Sequence, residues 1–122
     1  LDQPALAQDQ ARVEFEKGND NAAINGTIVG DEYIDDLLGA KKGQTMAVSL
    51  IPGESNGNGT IYLNVMPPGS TGEAIYNASI DGLDATGIVL PKDGDYTIRI
   101  YQLSDDADSG KTTAFMVSVG IM

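Results

Sequence analysis

Apolar and polar residues alternate with a period of two in short runs along most of the chain, the mark of strands that bury one face. Val13 and Phe15 alternate with Arg12, Glu14 and Glu16, and Lys17-Gly18-Asn19-Asp20-Asn21 breaks that run as a turn. Ile24 to Val29 is short and β-branched, with Asn25-Gly26 as a bulge or bend inside it. Glu32 to Leu38 fits two periods, because Tyr33 and Leu37, like Ile34 and Leu38, are also spaced for one helical turn. Gly30 and Gly39 bound it too closely for a stable helix, so it reads as a strand. Thr45 to Ile51 is the clearest half-buried strand, with Met46, Val48 and Leu50 alternating with Thr45, Ala47 and Ser49. Thr60 to Met66, Ala74 to Ile80, Thr86 to Leu90, Tyr96 to Leu103 and Thr112 to Val119 follow at similar spacing, and no helix is needed. In the Tyr96 run, Tyr96, Ile98 and Ile100 share one face, which leaves Thr97, Arg99 and Tyr101 on the other.

The breaks between these runs carry turn chemistry. Lys41-Lys42-Gly43-Gln44 and Asp93-Gly94-Asp95 are tight turns, Pro67-Pro68-Gly69-Ser70-Thr71-Gly72 is a surface connection, and Ser104 to Lys111 is an acidic, polar hairpin tip. About eight short strands at this spacing predict an all-β fold, a single antiparallel β-sandwich or small barrel. The domain is expected over 13–122, behind a flexible amino-terminal segment, 1–12. Ala5-Leu6-Ala7 within that segment has the small-x-small form of a signal-peptidase site, but Leu1-Asp2-Gln3-Pro4 before it is too short and polar for a signal core.

Composition narrows the function. At 122 residues and 41% hydrophobic content the chain can bury one core, with no Trp and only two Phe. The absence of His and Cys removes the commonest general base, the commonest metal ligand and the strongest natural nucleophile, so an enzyme is not expected. A formal net charge of -11 repels phosphate backbones and anionic membrane surfaces, and it attracts a basic partner. No nucleic-acid partner and no membrane insertion are expected, since no apolar stretch approaches the ~18 residues of a bilayer span. Asp105, Asp106 and Asp108 before Gly110, and the turn Asp81-Gly82-Leu83-Asp84, are acidic, but neither reproduces a calcium loop with its terminal bidentate Glu, and no cofactor is expected.

The candidate site is a loop. Ser55-Asn56-Gly57-Asn58-Gly59-Thr60-Ile61-Tyr62 is a polar tip that bends at little cost and feeds straight into the strand from Tyr62. Entering a partner's cleft, Asn58 and Thr60 would offer hydrogen bonds and Tyr62 a rigid aromatic with a polar end. The same residues also suit an ordinary hairpin with a half-buried tyrosine. Arg99 and Tyr101, side by side on one strand face, are further interface candidates.

The order of several motifs resembles the periplasmic inhibitors of invertebrate-type (i-type) and goose-type (g-type) lysozyme made by Gram-negative bacteria. They are Val13-Glu14-Phe15-Glu16-Lys17-Gly18, Gly39-Ala40-Lys41-Lys42-Gly43-Gln44, the Asn-Gly loop running into Tyr62, Pro68-Gly69, and Gly94-Asp95-Tyr96-Thr97-Ile98-Arg99-Ile100-Tyr101. A Gly-Asp-Tyr-Thr strand also occurs in domains appended to secreted peptidases, so order and spacing carry the resemblance. It implies an all-β periplasmic protein, exported with its signal peptide removed, that blocks the cleft of a basic lysozyme with a Ser-Gly-x-x-Tyr-like loop. Gly59 and Tyr62 match that loop, whereas Asn58 stands where Ser is usual, so the hydrogen bond to the enzyme's carboxylic acid would come from an amide or from Ser55 or Thr60. The match around the Asn-Gly loop and Pro67-Pro68-Gly69 favours the i-type, with the g-type next. The alternative is a noncatalytic glycan- or calcium-binding accessory domain. Edge strands of such a sandwich can pair across a two-fold axis, and a homodimer is expected.

Overall fold

A computed structural model describes residues 21–57, 59–70, 73–103 and 108–122, and the backbone of 8–12. Asn58, the Val13/Phe15 alternation, most of the turn after it, the Ala5-Leu6-Ala7 site and Ser104 to Ala107 lie outside the described residues.

The described chain forms nine strands and one short helix: β1 Gln8–Arg12, β2 Asn21–Val29, β3 Tyr33–Ala40, β4 Thr45–Ser55, β5 Ile61–Met66, β6 Tyr76–Asn77, α1 Ala78–Asp81, β7 Asp84–Val89, β8 Gly94–Gln102 and β9 Thr112–Ile121. They make two sheets, in the orders β1-β3-β8-β5-β6 and β2-β9-β4-β7, packed face to face as a sandwich without barrel closure. β8 and β9 lie inside their sheets, with strands on both sides. Their inward residues, Tyr96, Ile98 and Ile100 on one and Val117 and Val119 on the other, are buried in the core. Met46, Val48 and Leu50 join them, as their alternation predicts.

Three elements depart from the sequence reading. Gln8–Arg12, placed in the flexible segment, is a strand that pairs in parallel with β3, Gln8 opposite Tyr33 through Arg12 opposite Leu37. Its polar residues gave no alternation to read, and what recruits it is the open edge of β3. Ala74 to Ile80, read as one strand, contains only the two-residue β6, after which the chain turns into α1. Asn77 causes the switch: its Oδ1 accepts from the Ser79 N–H at 2.9 Å and from Ser79 Oγ at 2.7 Å, an N-cap that outcompetes strand pairing. β4 runs past Ile51 through Pro52 to Ser55, with a register shift between Pro52 and Ser55. Beyond Ser49 it pairs with β9 alone, and a proline is tolerated where one side of the strand is unpaired.

Candidate functional site

The 55–60 loop joins the two sheets at one end of the sandwich, where β4 hands over to β5. It is held at several points. Asn56 N–H donates to Thr112 O at 3.2 Å while Thr112 N–H donates to Asn56 Oδ1 at 2.9 Å. Leu103 N–H donates to Thr60 O at 3.1 Å, and Thr60 Oγ1 donates to Leu103 O at 2.8 Å. Gly59 sits at φ +70°, with no atom within 4 Å of where a Cβ would stand, so the loop crest is open and left-handed there. The hydroxyls of Ser55 and Thr60, put forward as donors to a partner, are thus both engaged with their own chain.

Tyr62 lies next to this loop on the outer face of the five-stranded sheet. Strand pairing places Tyr62 of β5 opposite Tyr101 of β8, and Tyr101 opposite Tyr33 of β3, a row of three half-buried tyrosines. The next row is polar: Asp35, Arg99, Asn64 and Asn77 come from β3, β8, β5 and β6. Arg99 donates to Asp35 through two nitrogens, Nε to Oδ1 at 2.8 Å and the terminal nitrogen to Oδ2 at 2.9 Å. Its guanidinium carbon lies 4.0 Å from the centre of the Tyr33 ring. Hydrogen bonding to Asp35 holds the guanidinium above its ordinary pKa, so it is always charged. The Arg99 side chain remains 33% exposed against 5% for Asp35, so the cation is oriented from behind and presented outward. Tyr101 donates to Asn64 Oδ1 at 2.8 Å, and burial raises its phenol pKa.

The structure therefore brings Tyr62, Arg99 and Tyr101 onto one surface beside the loop. It adds Tyr33, Asp35 and Asn64, which the sequence reading did not select. Alternation puts Tyr33 and Asp35 on one strand face, but only the pairing of β3 with β8, some sixty residues later, sets them against Arg99. Among the described residues no group of three or more acidic side chains converges as a metal site would require.

No known family model matches the chain. It is 34% identical over 110 residues to the inhibitor of g-type lysozyme of Escherichia coli K12, covering 89% of this chain and 78% of that one. The chain belongs to the periplasmic lysozyme inhibitor family. Among solved members, the periplasmic inhibitor of g-type lysozyme from Aeromonas hydrophila superposes with a TM-score of 0.81 at 32% identity, over 94% of this chain and 97% of that one. The Salmonella Typhimurium inhibitor of g-type lysozyme gives 0.70 at 27% identity, over 93% and 98%. The pre-peptidase C-terminal domain of a Bacillus anthracis collagenase, at 10% identity and a TM-score of 0.59, shares the fold alone. As a member of this family the chain is a periplasmic protein and not itself an enzyme.

Proposed function

We propose that this protein inhibits a g-type lysozyme by covering its substrate cleft with the loop crest around Gly59 and the neighbouring sheet face. The observation that carries the reading is the contiguous surface at the loop end: an open crest at Gly59, the Tyr62, Tyr101, Tyr33 row, and the outward-facing Arg99 braced by Asp35. Tyrosine and arginine on a rigid sheet supply contact area and directed hydrogen bonds with little side-chain entropy left to lose on binding. With the Ser55 and Thr60 hydroxyls turned to their own chain, Asn58 and the backbone around Gly59 supply the polar contacts to the enzyme's carboxyl groups, and Ser55 and Thr60 hold the loop. The resemblance drawn from the sequence favoured the i-type, with the g-type next; similarity to inhibitors of g-type lysozyme over most of the chain supports reading the g-type as the target instead. The expected homodimer is part of the proposal, with pairing through an outer strand of the four-stranded sheet, whose order among the described residues is β2-β9-β4-β7.

The test is lysis of peptidoglycan by g-, i- and c-type lysozymes, each with and without the protein. Inhibition confined to the g-type supports the reading, inhibition confined to the i-type restores the earlier order, and no inhibition of any class sinks it. Tyr62→Ala should remain folded and weaken inhibition by about 2 kcal/mol, the loss expected of an aromatic anchor. Unchanged inhibition by that variant removes Tyr62 from the interface. Light scattering decides the dimer, since the chain mass is 12.8 kDa.

A further inference from the structure

Two polar side chains lie in the interior beneath the loop. Gln102 is 4% exposed and Thr113 not exposed at all. Gln102 Nε2 donates to Lys111 O at 2.8 Å and to Gly30 O at 3.2 Å, closing the ends of the β8–β9 loop and the β2–β3 turn. Both of those acceptors are carbonyls, so the amide's orientation is set: its nitrogen faces them and its Oε1 faces Thr113. Thr113 Oγ1 lies 2.6 Å from Gln102 Oε1, an acceptor only, and so gives its one proton there. The contact of 2.8 Å between Ser55 Oγ and Thr113 Oγ1 must then be donated by Ser55. Ser55 Oγ in turn accepts the Gly57 N–H at 3.0 Å. Every proton in this chain has one direction, from the loop backbone inward to the amide.

We infer that Gln102 and Thr113 are positioning residues for partner binding: through Ser55 they fix the 55–57 backbone and so pre-organise the loop crest, without touching the partner themselves. The inference rests on the inhibitor reading above. Three loops at the same end of the sandwich meet at one amide, so loosening Gln102 or Thr113 releases the loop while the alternating apolar core stays as it is. A buried polar relay of this kind is retained at a cost in desolvation, and that cost is balanced only if all its members are satisfied, as they are here. A loop ordered before binding loses less entropy on complex formation, and the gain is expected in the dissociation rate.

The experiment pairs Thr113→Val, which keeps the shape and removes the hydroxyl, with Thr113→Ser, which keeps the hydroxyl. Binding of each to a g-type lysozyme is followed by surface plasmon resonance, and exchange of the Gly57 amide by NMR in the free protein. Thr113→Val should dissociate about tenfold faster with accelerated Gly57 exchange, because losing the hydroxyl removes both its bond to Gln102 and the one that holds Ser55, and Thr113→Ser should restore both readouts. In a Ser55→Ala background Thr113→Val should add nothing to the loss of affinity, because the relay is already cut. A folded Thr113→Val protein with wild-type dissociation and Gly57 exchange overturns the inference, as does a loss that Thr113→Ser does not restore. If Thr113→Val does not fold, Thr113→Ala, which removes the hydroxyl without setting a methyl against the Gln102 amide, takes its place with the same two readouts. Should the wild-type protein bind no lysozyme, the functional reading falls, while Gly57 exchange still reports whether the relay orders the loop.

Discussion

Gly26 on β2 faces Phe115 on β9 so closely that an added Cβ would stand 2.7 Å from Phe115 Cζ and 3.0 Å from Cε2. The ring is 4% exposed and belongs to the core, so it has no room to retreat. Gly26→Ala should therefore destabilise by roughly 1–3 kcal/mol, the cost of overpacking, read as a lower denaturant midpoint with unchanged slope. Asp36 makes the opposite prediction. It points inward beside Asp35, is 2% exposed, and its Oδ2 has no hydrogen-bond partner. Burial, reinforced by the Asp35 charge, raises its pKa from 3.8 to about 6. Between those two values the folded protein holds a proton that the unfolded chain has already released, so stability rises on acidification through that window and the penalty is complete above it. Asp36→Asn should raise stability at neutral pH by roughly 1–2 kcal/mol and flatten the dependence between about pH 4 and about pH 6. Urea melts across that range check it, and a variant that keeps the wild-type pH slope would remove Asp36 as its source.

At the level of the element, β8 is organised by a single tyrosine. Tyr96 is wholly enclosed, yet its hydroxyl reaches back four residues, donating to Lys92 O at 2.7 Å and accepting the Lys92 N–H at 3.0 Å. The turn that leads into β8 is thereby fastened to the strand it precedes. Gly94, the first residue of β8 at φ +136°, leaves room for Pro68, whose Cγ would lie 2.9 Å from an added Cβ. Tyr96→Phe keeps the packing but strands both Lys92 backbone groups, and should cost about 1–2 kcal/mol. Amide exchange at Lys92 should accelerate with it; unchanged exchange would mean that water replaces the phenol fully. Tyr76 does similar work at the far edge: its hydroxyl donates to Gly82 O at 2.5 Å, with Asp84 O a longer 3.2 Å away, and so ties β6 to the chain that leaves α1.

Across the whole molecule the net charge of -11 sets how a partner arrives rather than how tightly it is held. The ion pair of Arg99 with Asp35 sits within the candidate interface. Association with a basic lysozyme should accordingly slow by about tenfold between low and physiological salt, with a much smaller change in dissociation. Stopped-flow binding at two ionic strengths separates these rates, and an association rate indifferent to salt would rule out long-range steering.

What the linear sequence determined by itself is the local part. Period-two alternation was enough to place most strands and to say which faces of Thr45 to Ile51 and Tyr96 to Tyr101 are inward, because the pleat ties side-chain direction to position along the chain. The order and spacing of the motifs carried the family reading, and the Gly-Asn composition of the 55–60 loop marked it as a bend. Pairing between distant strands was not legible. Tyr33 and Asp35 gain their meaning only from lying opposite Tyr101 and Arg99, and the parallel docking of Gln8–Arg12 depends on the free edge of β3. The same holds for the interior relay: Gln102 and Thr113 look like ordinary strand residues until two sheets and three loops converge on them. Which face a residue occupies is a short-range property of one strand, whereas what it meets there depends on how the strands are assembled, and only the tertiary structure decides that.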